Sequence, residues 1–128
     1  LPIGETNLTD AGLAHLSSMP QLTYLGLRGN KVTDAGVVHL RKLEKLEGLH
    51  LGETQVTDAG VHHLAVLSGL EKLWLHDLPV TDASLKTLTK LKNLRELHVY
   101  ATKITSEGAK RLQIALPKCR IVHEAFLN

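Results

Sequence analysis

Aromatic and sulfur-bearing residues are scarce in this 128-residue chain, which has one cysteine, one tryptophan, two tyrosines and one phenylalanine. Cys119 has no intrachain partner, so a disulfide framework is excluded and the cellular compartment stays open. No apolar run approaches the roughly 18 to 20 residues a spanning helix needs, because polar residues interrupt the leucines throughout, and no membrane partner is expected. The net charge of +2 argues against polyanion binding as the main role. The chain also lacks a G-x-S-x-G segment, a phosphate-cradling glycine loop and a cysteine set beside a general base. No catalytic residue and no cofactor are therefore assigned, and the chain reads as non-enzymatic. Residue 1 is leucine, consistent with a removed leader or with an excerpt from a longer chain.

What the chain does have is a period. TDAG stands at Thr9, Thr33 and Thr57 and returns as TDAS at Thr81 and TSEG at Thr105, each copy 24 residues after the last. A fixed period of this length means that each unit is one supersecondary element unable to bury its apolar face alone. The units are 1–24, 25–48, 49–72, 73–96 and 97–120, followed by a partial strand and cap over 121–128, all in a single domain. Triplets starting at Leu1, Leu25, Leu49, Leu73, Leu97 and Ile121 alternate apolar and variable residues, the mark of a half-buried strand. After each TDAG the apolar spacing changes to three, as in Val37, Leu40, Leu43 and Leu46, which predicts a short helix running into a tighter turn. The threonine suits an N-cap, the aspartate suits the positive end of the helix dipole, and the glycine suits a close helix–sheet approach. Strands joined by helices in register must be parallel, with right-handed crossovers.

The stretch Leu22, Leu25, Leu27, Asn30, Val32 fits L-x-x-L-x-L-x-x-N-x-L, and later units place Thr54, Leu78 and Thr102 in the asparagine slot. The chain therefore resembles the leucine-rich repeat family, and within it the cysteine-containing, ribonuclease-inhibitor-like class. The resemblance covers essentially the whole chain. It implies an α/β fold: a right-handed solenoid with a concave parallel β-sheet and helices on the convex side. It also implies protein binding through the concave sheet. Asn30, Thr54 and Thr102 are expected to hydrogen-bond the backbone of a neighbouring turn. Leu78 cannot do so, and the loop Asp77–Pro79 is expected to be shaped differently and to be a contact loop. Ala109, Ala115, Lys118 and Cys119 break the pattern as a capping repeat does, with Cys119 buried. Leu1 starts directly in a strand position, so the N-terminal edge is expected to associate or to be covered by preceding residues.

The outward strand positions fall into columns. Pro2, Gly26, His50, Trp74, His98 and Val122 form one, Gly4, Arg28, Gly52, His76, Tyr100 and Glu124 the next, and Tyr24, Gly48, Lys72, Glu96 and Arg120 a third. The tryptophan and both tyrosines land on this face while aliphatic residues fill the inward slots. Exposed Trp and Tyr flanked by Arg have the composition of a protein-binding hot spot. The candidate site is Trp74 with His50 and His98 beside it, His76 and Tyr100 diagonal to it, and Arg28, Tyr24 and Lys72 around it. Flanking charges, Glu53, Asp77 and Glu96 among them, would set selectivity.

No metal site is assigned. His15, His39 and His63 repeat at a helix spacing of about 8 to 10 Å, too far apart to share an ion. His50 and His98 are about 10 Å apart with Trp74 between them. Nucleic-acid binding is the first rival reading, through Arg41, Lys42, Lys45, Lys86, Lys90, Lys92, Lys110 and Arg111, although Glu44, Glu47, Glu71 and Glu107 interrupt that stripe. A second follows from the resemblance alone: members of the class serve as substrate receptors of ubiquitin ligases, although the chain has no F-box-like segment.

Overall fold

In the computed structural model, which describes residues 1–124, every period yields one helical segment and one strand. In chain order these are α1 (Asp10–Leu16), β1 (Tyr24–Gly26), α2 (Asp34–Leu40), β2 (Gly48–His50) and α3 (Asp58–His62), which tightens into a 3-10 turn at His63–Val66. Next come β3 (Lys72–Trp74), a 3-10 turn at Asp82–Ser84 leading into α4 (Leu85–Leu88), β4 (Glu96–His98), α5 (Ser106–Ala115) and β5 (Arg120–Val122). The strands form one parallel sheet in the order β1-β2-β3-β4-β5. Its register equals the sequence period, so Leu25, Leu49, Leu73, Leu97 and Ile121 lie side by side. Strands spaced about 4.8 Å apart and helices needing about 8 to 10 Å splay the stack on the helical side and make the sheet its inner face.

Every helix is shorter than the roughly 12 to 15 residues at which an isolated helix becomes marginal in water, so tertiary packing must hold it. That packing is aliphatic. Leu25 and Leu27 from β1 and its exit, and Val37, Leu40, Leu43 and Leu46 from α2 and the following turn, are fully buried, and their equivalents continue the same core into the later units. Burying each such leucine stabilises the stack by about 1.5–3 kcal/mol.

The TDAG motif opens each helix, but it does more than begin one. Thr57, Thr81 and Thr105 accept hydrogen bonds from the N–H groups of Ala59, Ala83 and Gly108, whereas Thr9 and Thr33 cap with backbone alone. The aspartate reaches into the next unit. Asp34 accepts from Thr57 N at 2.7 Å and Thr57 Oγ1 at 2.5 Å, and Asp10–Thr33, Asp58–Thr81 and Asp82–Thr105 repeat the pair. The glycine is needed where this carboxylate arrives. A Cβ at Gly36, Gly60 or Gly108 would collide with the carboxylate of Asp10, Asp34 or Asp82, which corrects the expectation of a helix–sheet approach. In the fourth unit Ser84 replaces the glycine and donates to Asp58 Oδ1 at 2.5 Å.

Asn30 is buried. It accepts from Thr6 N at 2.9 Å and Leu8 N at 3.0 Å in the preceding unit and donates to Ile3 O at 2.8 Å. Thr54 and Thr102 bond the carbonyls of Leu51 and Val99 within their own turns. The loop at Leu78 does not differ from the others. Leu78 is buried in the core, and Asp77 takes the left-handed conformation (φ 58°) that Glu5, Gly29, Glu53 and Ala101 take at the same position in their units. An apolar side chain filling the slot has replaced the internal hydrogen bond without reshaping the turn.

At the two ends, Pro2 bridges to Gly26 alongside β1, and Leu112, Leu116 and Cys119 close the last described core layer. Ile114 on α5 is 81% exposed. Residues 125–128 of the expected cap lie outside the described residues.

Candidate functional site

Because strand register equals sequence period, residues 24 apart become lateral neighbours, and the three columns form as expected. Gly26, His50, Trp74, His98 and Val122 are consecutive partners, and Tyr24, Gly48, Lys72, Glu96 and Arg120 form the adjacent row. Strand spacing then imposes stacking. His50 and Trp74 are parallel, with centroids 5.1 Å apart and planes 6° apart, and Trp74 and His98 follow at 5.6 Å and 12°. Both faces of the indole are covered, so Trp74 shows solvent mainly its edge.

A second row runs beside the first. His76 and Tyr100 stack at 4.7 Å and 5°, and His50 meets His76 edge-on at 5.1 Å while His98 meets Tyr100 edge-on at 6.1 Å. Tyr24 approaches Trp74 perpendicularly at 6.4 Å. Six of the eight candidate residues thus form one connected array. Arg28 borders the array and donates through its Nε to Glu53. Lys72 is solvent-exposed, makes no ion pair among the described residues and flanks the array beside Gly48 and Glu96.

His76 requires a correction. Expected to be an exposed contact residue, it is only 4% exposed, with Nδ1 2.7 Å from Asp77 Oδ2. Its ring lies over Gly52, where a Cβ would collide with the imidazole. Tyr24 similarly leans across Gly48. These glycines are steric spacers for the two rings, and sequence reasoning passed them over. Their signal was present, as gaps in the outward columns beside large rings.

Electrostatically the array is close to neutral. Burial, reinforced by His76, Arg28 and His98 nearby, pulls His50 down to about 4, so it is uncharged near neutral pH. Its Nδ1 accepts from Gly52 N at 3.2 Å, which places the imidazole proton on Nε2. At the other end Glu96 lies between His98 Nε2 at 3.4 Å and Arg120 at 3.1 Å. The charges bordering the rings are thus largely paired with one another. The arrangement offers ring edges and a few polar atoms on a preformed surface.

A sequence model of the leucine-rich repeat family matches residues 18–40, about one unit. No curated protein matches the sequence. Among solved structures, an internalin from Listeria monocytogenes is similar at 23% identity with a TM-score of 0.60, covering 90% of this chain and 38% of that one. Internalin C2 of the same organism is similar at 22% identity and a TM-score of 0.60, covering 97% of this chain and 70% of that one. Actin-binding site 2 of leiomodin-1 shares 14% identity at a TM-score of 0.67, covering 90% of this chain and 79% of that one. The chain spans well under half of the first internalin. Parallel five-stranded sheet, helical outer layer and family match agree: the chain folds as a leucine-rich-repeat solenoid.

Proposed function

We propose that the chain is a non-enzymatic protein- or peptide-binding module whose sheet face, centred on Trp74, is the binding surface. The observation behind this reading is the six-ring array, with His76 as its buried member, on the outer face of a sheet whose hydrophobic core, among the described residues, is aliphatic apart from Cys119. Rings that contribute nothing to the core but are ordered on a rigid face have the properties of binding anchors, since they offer contact area at little cost in conformational entropy. Indole and imidazole edges bear the positive end of the ring quadrupole, and the indole adds an N–H donor. A complementary partner presents carbonyl or carboxylate oxygens, or ring faces, to this strip. With the bordering charges other than Lys72 largely paired internally, a segment of mixed composition fits better than a polyanion. The structurally similar leiomodin-1 segment is described as an actin-binding site, so a solenoid of this size is sufficient for a protein partner. The role of substrate receptor in a ubiquitin-ligase assembly is a narrower form of the same reading and rests on the family resemblance alone.

The test is selection of a displayed peptide library on the intact chain, followed by affinity measurement. Binders should lose about 30-fold in affinity, equivalent to about 2 kcal/mol, on Trp74→Ala. Binders indifferent to Trp74→Ala but lost on Lys86→Glu with Arg111→Glu would transfer the site to the helical side, and salt-dependent retention on a nucleic-acid column would favour the nucleic-acid reading.

A further inference from the structure

We propose that Glu53, His76 and Asp77 form a binding site for a divalent transition-metal ion of the zinc class at the rim of the aromatic face. One ligand atom from each lies within 4.8 Å of the other two. The fold creates this cluster. Glu53 and Asp77 hold the same left-handed position in successive units, with φ of 59° and 58°, so parallel stacking sets their carboxylates side by side. His76 directly precedes Asp77 and inserts its imidazole between the two units.

The buried imidazole separates this set from an ordinary patch of surface acids. His76 is fixed on one side by the Tyr100 ring and lies over Gly52 on the other, so the most rigid of the three donors is already in place. The two carboxylates are partly exposed at the surface, each engaged through one oxygen, and can close around an ion, which binds such donors at about 2.0–2.2 Å. Arg28 uses its Nε to hold Glu53 through Oε2, which leaves Oε1 for the metal. Two carboxylates neutralise a dication. One imidazole with two carboxylates suits zinc, cobalt or manganese, while calcium needs six to eight oxygens, which this set cannot provide. Binding through Nδ1 requires the tautomer with the single ring hydrogen on Nε2, so a neutral His76 gives up the Nδ1–H now shared with Asp77, takes one hydrogen at Nε2, and releases no net proton. Three protein donors leave a fourth position open to water.

Zinc titration of the untagged chain by calorimetry tests the site, with Glu53→Gln plus Asp77→Asn as the variant. Both substitutions are isosteric, and asparagine tolerates the left-handed backbone at position 77, so the fold should survive, as a metal-free melt would verify. The wild type should bind one equivalent, the double variant about tenfold or more weakly, and zinc should raise the melting midpoint of the wild type alone. Cobalt(II) visible bands should change in the same pattern. The chain has eight histidines, so a second variant, His15→Gln with His39→Gln and His63→Gln, controls for the helical column and should leave binding intact. Absence of saturable zinc binding, equal affinity in the double variant, or loss in the triple-histidine variant would overturn the proposal.

Discussion

Asp58 on one helix accepts three hydrogen bonds from the unit that follows it: from Thr81 N at 2.9 Å, Thr81 Oγ1 at 2.6 Å and Ser84 Oγ at 2.5 Å. These bonds hold the Asp58 carboxyl below the ordinary carboxylate range although burial opposes them. Replacing Asp58 with alanine strands a backbone N–H and two hydroxyls at once. We expect a loss of about 1–3 kcal/mol, read from the urea midpoint, and a neutral result would mean that water substitutes fully for the carboxylate.

Gly60→Ala offers a test in which helix propensity and packing disagree. Alanine in place of glycine inside a helix ordinarily stabilises by about 1 kcal/mol. Here the new Cβ meets the carboxylate of Asp34 and a methyl of Val56, so the sign should reverse. Serine should be the milder replacement, since Ser84 already occupies this position and bonds the preceding aspartate. Thermal melts should rank glycine above serine and serine above alanine.

Acid should weaken the fold in two windows. His50 is depressed from 6.5 to about 4, so the unfolded chain takes up its proton first and stability falls as pH drops from about 6.5 to about 4. Asp58 and Asp82 are depressed below 3.8, and their contribution is present above that value and lost below it. Denaturant midpoints measured against pH should show both declines, and His50→Gln should remove the upper one while leaving the lower.

Cys119 should be chemically silent. It is buried, and desolvation, with Glu96 nearby, pushes its thiol up to about 11. Little thiolate exists at pH 8, and access requires opening of the last layer. A thiol reagent should label the native chain far more slowly than the denatured one, and fast native labelling would place Cys119 outside the core.

The period made most of the architecture legible. Alternation around Leu25 and Leu49 located the strands, triplet spacing from Val37 to Leu46 located the helices, and the 24-residue offset gave the lateral order of the columns that stacks His50, Trp74 and His98. What it could not convey was the third dimension between units. Asp34 and Thr57 lie 23 residues apart in sequence, and both types were explained by local helix-start chemistry, which concealed a bond between repeats. His76 shared the outward parity of Arg28, yet the missing side chain at Gly52 lets its ring fold down and become buried. Leu78 was misread for a related reason: the turn is set by the left-handed residue before the slot, whatever side chain fills it.

The aspartate and threonine of each TDAG unit have a further consequence for how the array can change. Each of the first four units offers an acceptor to its successor, and the second to fifth present donors to their predecessors, so a duplicated unit with both residues is compatible with either neighbour as soon as it is inserted. Ser106 stands where Asp82 would recur and has no carboxylate to offer a following threonine. Lengthening between units is therefore chemically uniform from the first to the fourth, whereas a unit placed directly after the fifth would lack this bond.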